Sequence, residues 1–132
     1  MYPIVKKEQL ADKIFLMDVK AERVAKTCMP GQFIIVKIDE EGDFQNGGNV
    51  LFVDYFLVFQ VVGASTQRMT GLEVGDSFRD FVGPLGCASE FCSEEIEDLK
   101  KKKILFVAGG VGAAPVYPQV KWMQMRPPAW DC

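Results

Sequence analysis

Not one of the 132 residues is a histidine. That absence removes the imidazole acid or base, the Ser-His and Cys-His nucleophile pairs and any His-ligated metal, so chemistry on this chain would have to come from a cofactor. Positive charge is also in short supply. Fifteen Lys and Arg against eighteen Asp and Glu leave a net charge of -3, without the broad positive field that a phosphate backbone demands. Nucleic acid is therefore not an expected partner. The one basic run, residues 100–103, follows directly on an acidic run at 94–98, and the two cancel as a solvated helix end.

Long apolar runs are missing as well. Nothing approaches the ~18 apolar residues of a bilayer span, and residues 1–10 lack the apolar core of a signal peptide. A cytoplasmic location without a membrane partner is the expectation, and the four cysteines, Cys28, Cys87, Cys92 and Cys132, then read as reduced thiols. Cys87 and Cys92 have the first spacing of a plant-type [2Fe-2S] loop. Glu95 stands where the third cysteine belongs, so no metal site is expected within the chain.

The composition itself, 48% hydrophobic and 25% charged, is that of a folded globular chain with room for one sizeable core. Residues 4–24 read as strands joined by a short turn, with an apolar centre at Ile14-Phe15-Leu16-Met17. Pro30-Gly31 makes a turn, and residues 32–38 form the clearest strand of the first half. A polar, glycine-containing hairpin loop covers 39–49. Residues 50–62 are nearly all apolar, either two strands turned near Asp54-Tyr55 or one long bulged strand.

Gly63-Ala64-Ser65-Thr66 interrupts the pattern, residues 67–72 suit a short helix, and Phe78 and Val82 alternate with polar neighbours on a strand that Gly83-Pro84 should end. Residues 93–99 resemble a capped helical turn. The period changes again at Ile104-Leu105-Phe106-Val107-Ala108, a run typical of a buried parallel strand. Gly109, Gly110 and Gly112 follow, and Pro115 suits the first turn of a helix reaching Met125. Strand, glycine turn and helix open a nucleotide-binding βαβ unit, in which the free amides and dipole of the helix start favour a pyrophosphate. Pro115 occupies the place of the third glycine of a full dinucleotide fingerprint.

Four segments in order carry a resemblance: Pro30-Gly31-Gln32-Phe33; Val61-Val62-Gly63-Ala64-Ser65-Thr66-Gln67; Gly75-Asp76 with Gly83-Pro84-Leu85-Gly86; and Val107-Ala108-Gly109-Gly110-Val111-Gly112-Ala113-Ala114-Pro115-Val116. Together they resemble the ferredoxin reductase-like flavoproteins, in particular the electron-transfer subunit of dihydroorotate dehydrogenase and the small subunit of NADH-dependent ferredoxin:NADP oxidoreductase, also called sulfide dehydrogenase. The resemblance implies a mainly β fold: a six-stranded antiparallel Greek-key FAD-binding barrel over residues 1–89, a linker helix at 90–100, and the first strand-turn-helix of a truncated Rossmann-like NAD(P)-binding domain from 101 to 132. By the same resemblance Gly63, Ser65 and Thr66 lie against the flavin's pyrophosphate or ribityl chain. Gly83, Pro84 and Leu85 form the junction near the flavin, and Gly109, Gly110, Gly112, Ala114 and Pro115 form the NAD(P) pyrophosphate loop. No catalytic residue is implied.

Two departures accompany it. The family's flavin-binding arginine and its neighbouring hydroxyl should fall near residues 43–51, which instead read Asp-Phe-Gln-Asn-Gly-Gly-Asn-Val-Leu, so weak FAD binding is expected. The family also continues into further strands and a cysteine-rich [2Fe-2S] segment, so the cluster is expected only in a part absent from this sequence, which reads as a fragment or an altered reading of a longer gene. The expected function is electron transfer between NAD(P)H, FAD and an iron-sulfur or ferredoxin-type carrier, in company with a larger oxidoreductase subunit. The alternative is a non-catalytic β-barrel that serves as an assembly module without flavin.

Overall fold

The computed structural model describes residues 1–39, 51–53 and 56–125. The hairpin loop, the 43–50 part of the stretch lacking the arginine, the bend at Asp54-Tyr55 and the tail carrying Cys132 therefore lie outside the described residues. Among the described residues seven strands form two antiparallel sheets. Strands β1 (Tyr2–Ala11), β2 (Ile14–Val19), β4 (Leu51–Val53), β5 (Phe56–Gln60) and β6 (Ser77–Phe78) make one sheet in the order β4-β5-β2-β1-β6; β3 (Phe33–Lys37) pairs with β7 (Asp80–Leu85) in the other.

Alternation along these strands builds the core. Met17 and Val19 of β2 and Leu57 and Phe59 of β5 point inward and are almost fully buried, and the antiparallel register sets Met17 opposite Leu57 and Phe15 opposite Phe59. The Phe15 and Phe59 rings stack at 5.9 Å. Ile34 and Val36 of β3, Phe78 of β6 and Phe81 of β7 join the same cluster, so the two sheets share one core. The apolar stretch 50–62 resolves into two strands, β4 and β5, paired antiparallel with Val53 opposite Phe56.

The single strand expected around Phe78 and Val82 divides in two, because β6 bonds to β1 while β7 bonds to β3. Nor does Gly83-Pro84 end it. Between the pairs Phe33–Leu85 and Ile35–Val82, three residues of β7 advance against two of β3, and Pro84, which has no amide to give, sits in that bulge.

Among the described residues α-helices punctuate the strands at α1 (Glu22–Thr27), α2 (Ala64–Thr70), α3 (Ile96–Leu99) and α4 (Ala113–Gln124). Val24 thus lies on a helix rather than a strand. Helix α2 begins at the expected interruption and closes the core with Met69. Below it Lys7 Nζ donates to the carbonyl of Thr70 at 2.8 Å and pairs with Glu73 at 2.6 Å. Around α3, Lys100 pairs with Glu97, Lys101 with Asp98 and Lys102 with Glu94, so the basic and acidic runs do neutralise one another.

Residues 104–108 form no strand. A parallel strand needs a parallel neighbour, and among the described residues there is none; Leu105 and Val107 stand 85% and 77% exposed where burial was expected. No described helix is long and apolar enough to cross a membrane.

Candidate functional site: an apolar groove beside a glycine turn

Strands buried on one face normally carry polar side chains on the other. Here Ile14 and Leu16 of β2 and Phe56 and Val58 of β5 occupy the outer face, and Leu10 and Ala11 continue it at the end of β1. Across from them stands the start of α4. Together these outer residues and Gly110, Val111, Ala113, Ala114 and Tyr117 enclose a groove of about 500 Å³. Among the described residues its lining holds no charged side chain, so it suits a flat, largely apolar group.

The glycine turn is a short 3-10 turn, Gly110–Gly112, closed by the amide of Gly112 donating to the carbonyl of Gly109 at 3.0 Å. Helix α4 begins on it, with Pro115 in the first turn where no amide partner is lost. Pro118 lies further in and removes one helical hydrogen bond, yet the helix continues to Gln124. Its far half is held by Trp122 against Phe91, ring centroids 5.2 Å apart, and by Met123, which is buried.

The sequence-predicted residues fall into three places. Gly83, Pro84 and Leu85 lie in β7, where Phe33 pairs with Leu85 and Gln32 Nε2 donates to the carbonyl of Gly86 at 3.1 Å, so the first and third motifs meet. Pro84 also borders a small cleft of about 130 Å³ beneath α4, lined in part by Cys28, Phe33, Lys121 and Trp122. The Cys28 thiol there donates to the carbonyl of Ala25 at 3.5 Å, and burial pushes its pKa up, which suits a packing role better than a nucleophile. Among the described residues no group of histidine, cysteine or acidic side chains could hold a metal ion.

Gly63, Ser65 and Thr66 start α2. Thr66 is buried, and its hydroxyl accepts from the amides of Val62 at 2.9 Å and Gly63 at 3.0 Å while donating to the Gly63 carbonyl at 3.0 Å. That oxygen is fully engaged in capping the helix and is not offered to an outside anion. Gly110 and Ala114, by contrast, line the groove directly, while Gly109, Gly112 and Pro115 flank it in sequence.

Space around each glycine separates two kinds. A Cβ added at Gly83 would meet Ile34 Cγ2 at 2.6 Å, so this glycine is needed for packing. At Gly63, Gly109 and Gly112 a Cβ would meet no described atom within 4 Å, and at Gly110 only the positive φ of 56° favours glycine. The backbone of the turn is bare on a side that nothing within the described residues fills. Sequence reasoning located this turn but missed the sheet wall of the groove. The signal was present: unbroken apolar runs at 14–17 and 56–59 belong to strands covered on both faces.

No family model matches the chain. It is 54% identical over 132 residues to an uncharacterized protein in the adh 3' region of Clostridium beijerinckii, covering 93% of this chain and 43% of that protein. Identity is 34% over 125 residues to a dihydroorotate dehydrogenase B (NAD(+)) electron transfer subunit homolog of Thermotoga maritima, covering 89% and 41%. The corresponding electron transfer subunit of Shouchella clausii is 30% identical over 121 residues, covering 86% and 45%. Among solved structures, a chain from the NADH-dependent reduced ferredoxin-NADP oxidoreductase, described for flavin-based electron bifurcation, superposes with a TM-score of 0.74 at 29% identity, covering 92% of this chain and 43% of that one. The chain spans less than half the length of each of these relatives.

The Thermotoga maritima and Shouchella clausii relatives carry the names of electron transfer subunits of an oxidoreductase, or of a homolog of one. In sequence and fold the chain resembles the ferredoxin reductase-like electron-transfer subunits over less than half of their length.

Proposed function

We propose that this chain is the flavin-holding part of an NAD(P)H-linked electron-transfer subunit, with the flat ring of FAD in the groove between the sheet and the glycine turn. The observation that carries this is the pair of walls: an apolar outer sheet face opposite a turn whose glycines leave open space. FAD, when bound, accepts hydride equivalents from NAD(P)H and releases electrons singly. The chain's own residues would bind and orient. Ile14, Leu16, Phe56 and Val58 would hold the ring and exclude water; the amides at the start of α4 would meet a dinucleotide phosphate, with Gly109, Gly110 and Gly112 letting it approach and Ala114 and Pro115 keeping the first turn free of bulk.

The fit is good for the ring and poor for the flavin pyrophosphate. No charged side chain among the described residues lines the groove, and the Thr66 hydroxyl is already used, so the Gly63 backbone and Ser65 would have to serve. Weak FAD binding follows, in keeping with the absent arginine. On this reading residues 1–89 are the FAD-binding-type Greek-key barrel, 90–100 the linker, and 101 onward the start of the NAD(P)-binding domain, in which 104–107 takes up strand pairing once a parallel neighbour is supplied. Gly83, Pro84 and Leu85 mark the junction. A larger oxidoreductase subunit, or a ferredoxin-type carrier with its own iron-sulfur centre, is the partner.

The test is an FAD titration followed by the absorbance and fluorescence of bound flavin. Saturable micromolar or weaker binding, lost in Gly112→Val, is expected; binding that Gly112→Val and Leu16→Lys both leave intact would remove the groove from consideration. A second reading, an assembly module without flavin, draws on the exposed Leu105 and Val107. It predicts self-association or partner capture with no flavin signal, and a clean monomer by size-exclusion chromatography that binds no apolar dye would count against it.

A further inference from the structure

Among the described residues two aromatic side chains line the groove, one from each wall: Phe56 from β5 and Tyr117 from α4. Their settings differ. Phe56 belongs to the sheet and is half-buried, with its strand locked into the ladder between β2 and β4. Tyr117 is 55% exposed, although it sits in the middle of a helix whose Met123 is buried and whose Trp122 packs at a tilt against Phe91. Neither its ring nor its hydroxyl has a partner among the described residues. An aromatic face left open on the wall of an apolar groove offers a stacking surface to a flat group. The remaining helix-side lining, Gly110, Val111, Ala113 and Ala114, is small and offers a ring no broad face.

We infer that Tyr117 is a positioning residue for the flavin, its phenol ring stacking on the flavin ring from the α4 side. The inference rests on the reading that the groove takes FAD. It adds a residue that none of the four glycine and proline motifs includes, and it assigns the helix wall a role in orienting the ring rather than only in admitting a phosphate. Aromatic stacking of this kind contributes beyond simple burial, and its removal is expected to weaken binding about three- to tenfold.

Riboflavin and FAD are the probes, because riboflavin presents the ring without the pyrophosphate. A stacked tyrosine quenches flavin fluorescence, since the phenol lends an electron to the excited ring and recovers it as the excitation decays; phenylalanine, which is harder to oxidise, does not. Wild-type protein is therefore expected to bind both probes with quenching. Tyr117→Phe should keep the affinity within about twofold while the bound probe brightens. Tyr117→Ala should lose about three- to tenfold in affinity for both probes and brighten as well. Melting curves of the three proteins confirm equal folding. If the alanine variant binds with wild-type affinity and quenching, or loses affinity while Tyr117→Phe stays as dark as wild type, Tyr117 does not stack and the groove assignment stands alone. If wild-type protein binds neither probe, both inferences fall together.

Discussion

Gly83→Ala tests whether the glycine at the β7 bulge is there for packing. The added methyl would stand 2.6 Å from Ile34 Cγ2 and 3.3 Å from Ile34 Cβ, whereas carbon atoms in contact prefer ~3.5–4.0 Å. Ile34 is 2% exposed and belongs to the shared core, so it cannot swing into solvent to make room. Overpacking of this kind costs about 1–3 kcal/mol. Against it, alanine restricts the unfolded chain and returns ~0.4–1 kcal/mol. The clash wins, and a net loss of about 1–2 kcal/mol should lower Tm by roughly 3–10 °C for a domain of this size. Circular dichroism melts would measure it. A double-mutant cycle sharpens the result: Ile34→Ala alone should be costly, yet in the Gly83→Ala background it removes the very atom in conflict, giving a favourable coupling of about 1 kcal/mol. A Gly83→Ala protein that melts at or above wild type, or a cycle without coupling, would refute the reasoning.

Other expectations follow from single groups. Thr66→Ala strands the amides of Val62 and Gly63 and should cost ~1–3 kcal/mol in urea unfolding, whereas Thr66→Ser, which keeps the oxygen, should cost well under half of that. Burial raises the pKa of Asp18, with Lys6 pulling it the other way. The folded protein therefore holds that proton more tightly than the unfolded chain does, and the resulting stability, present at low pH, is lost as pH rises through the folded value. Asp18→Asn should melt above wild type at neutral pH and converge with it near pH 3; the opposite trend would show that the Lys6 attraction dominates. Iodoacetamide followed by mass spectrometry should label exposed Cys87 well before Cys28, whose thiol is half-buried and raised in pKa.

How far the sequence could be read depended on what each signal needs to become structure. Richness in β-branched and aromatic residues found β3, whereas the inward sets on β2 and β5, set within unbroken apolar runs, needed the register of pairing. Val24 was misplaced because Val19 and Val24 are five residues apart, which is not a strand's period. The intervening Lys20-Ala21-Glu22-Arg23 favours a helical turn, and α1 forms there. Gly83-Pro84 looked like a stop because proline cannot donate to a ladder, but a bulge asks for no donor at that point.

Residues 104–108 are the most instructive difference. Their composition is right for a buried parallel strand, yet composition supplies neither the neighbour nor its hydrogen bonds, and no described strand lies parallel to them. The candidate site shows the same division. Its glycine turn was legible because a turn is local; its sheet wall was not, because only pairing in register sets Leu16 beside Val58 and turns both toward α4. Glycines that a fold needs, such as Gly83, and glycines that it leaves bare, such as Gly109 and Gly112, look identical in sequence. What surrounds a hypothetical Cβ tells them apart, and it is the bare ones that argue for a ligand.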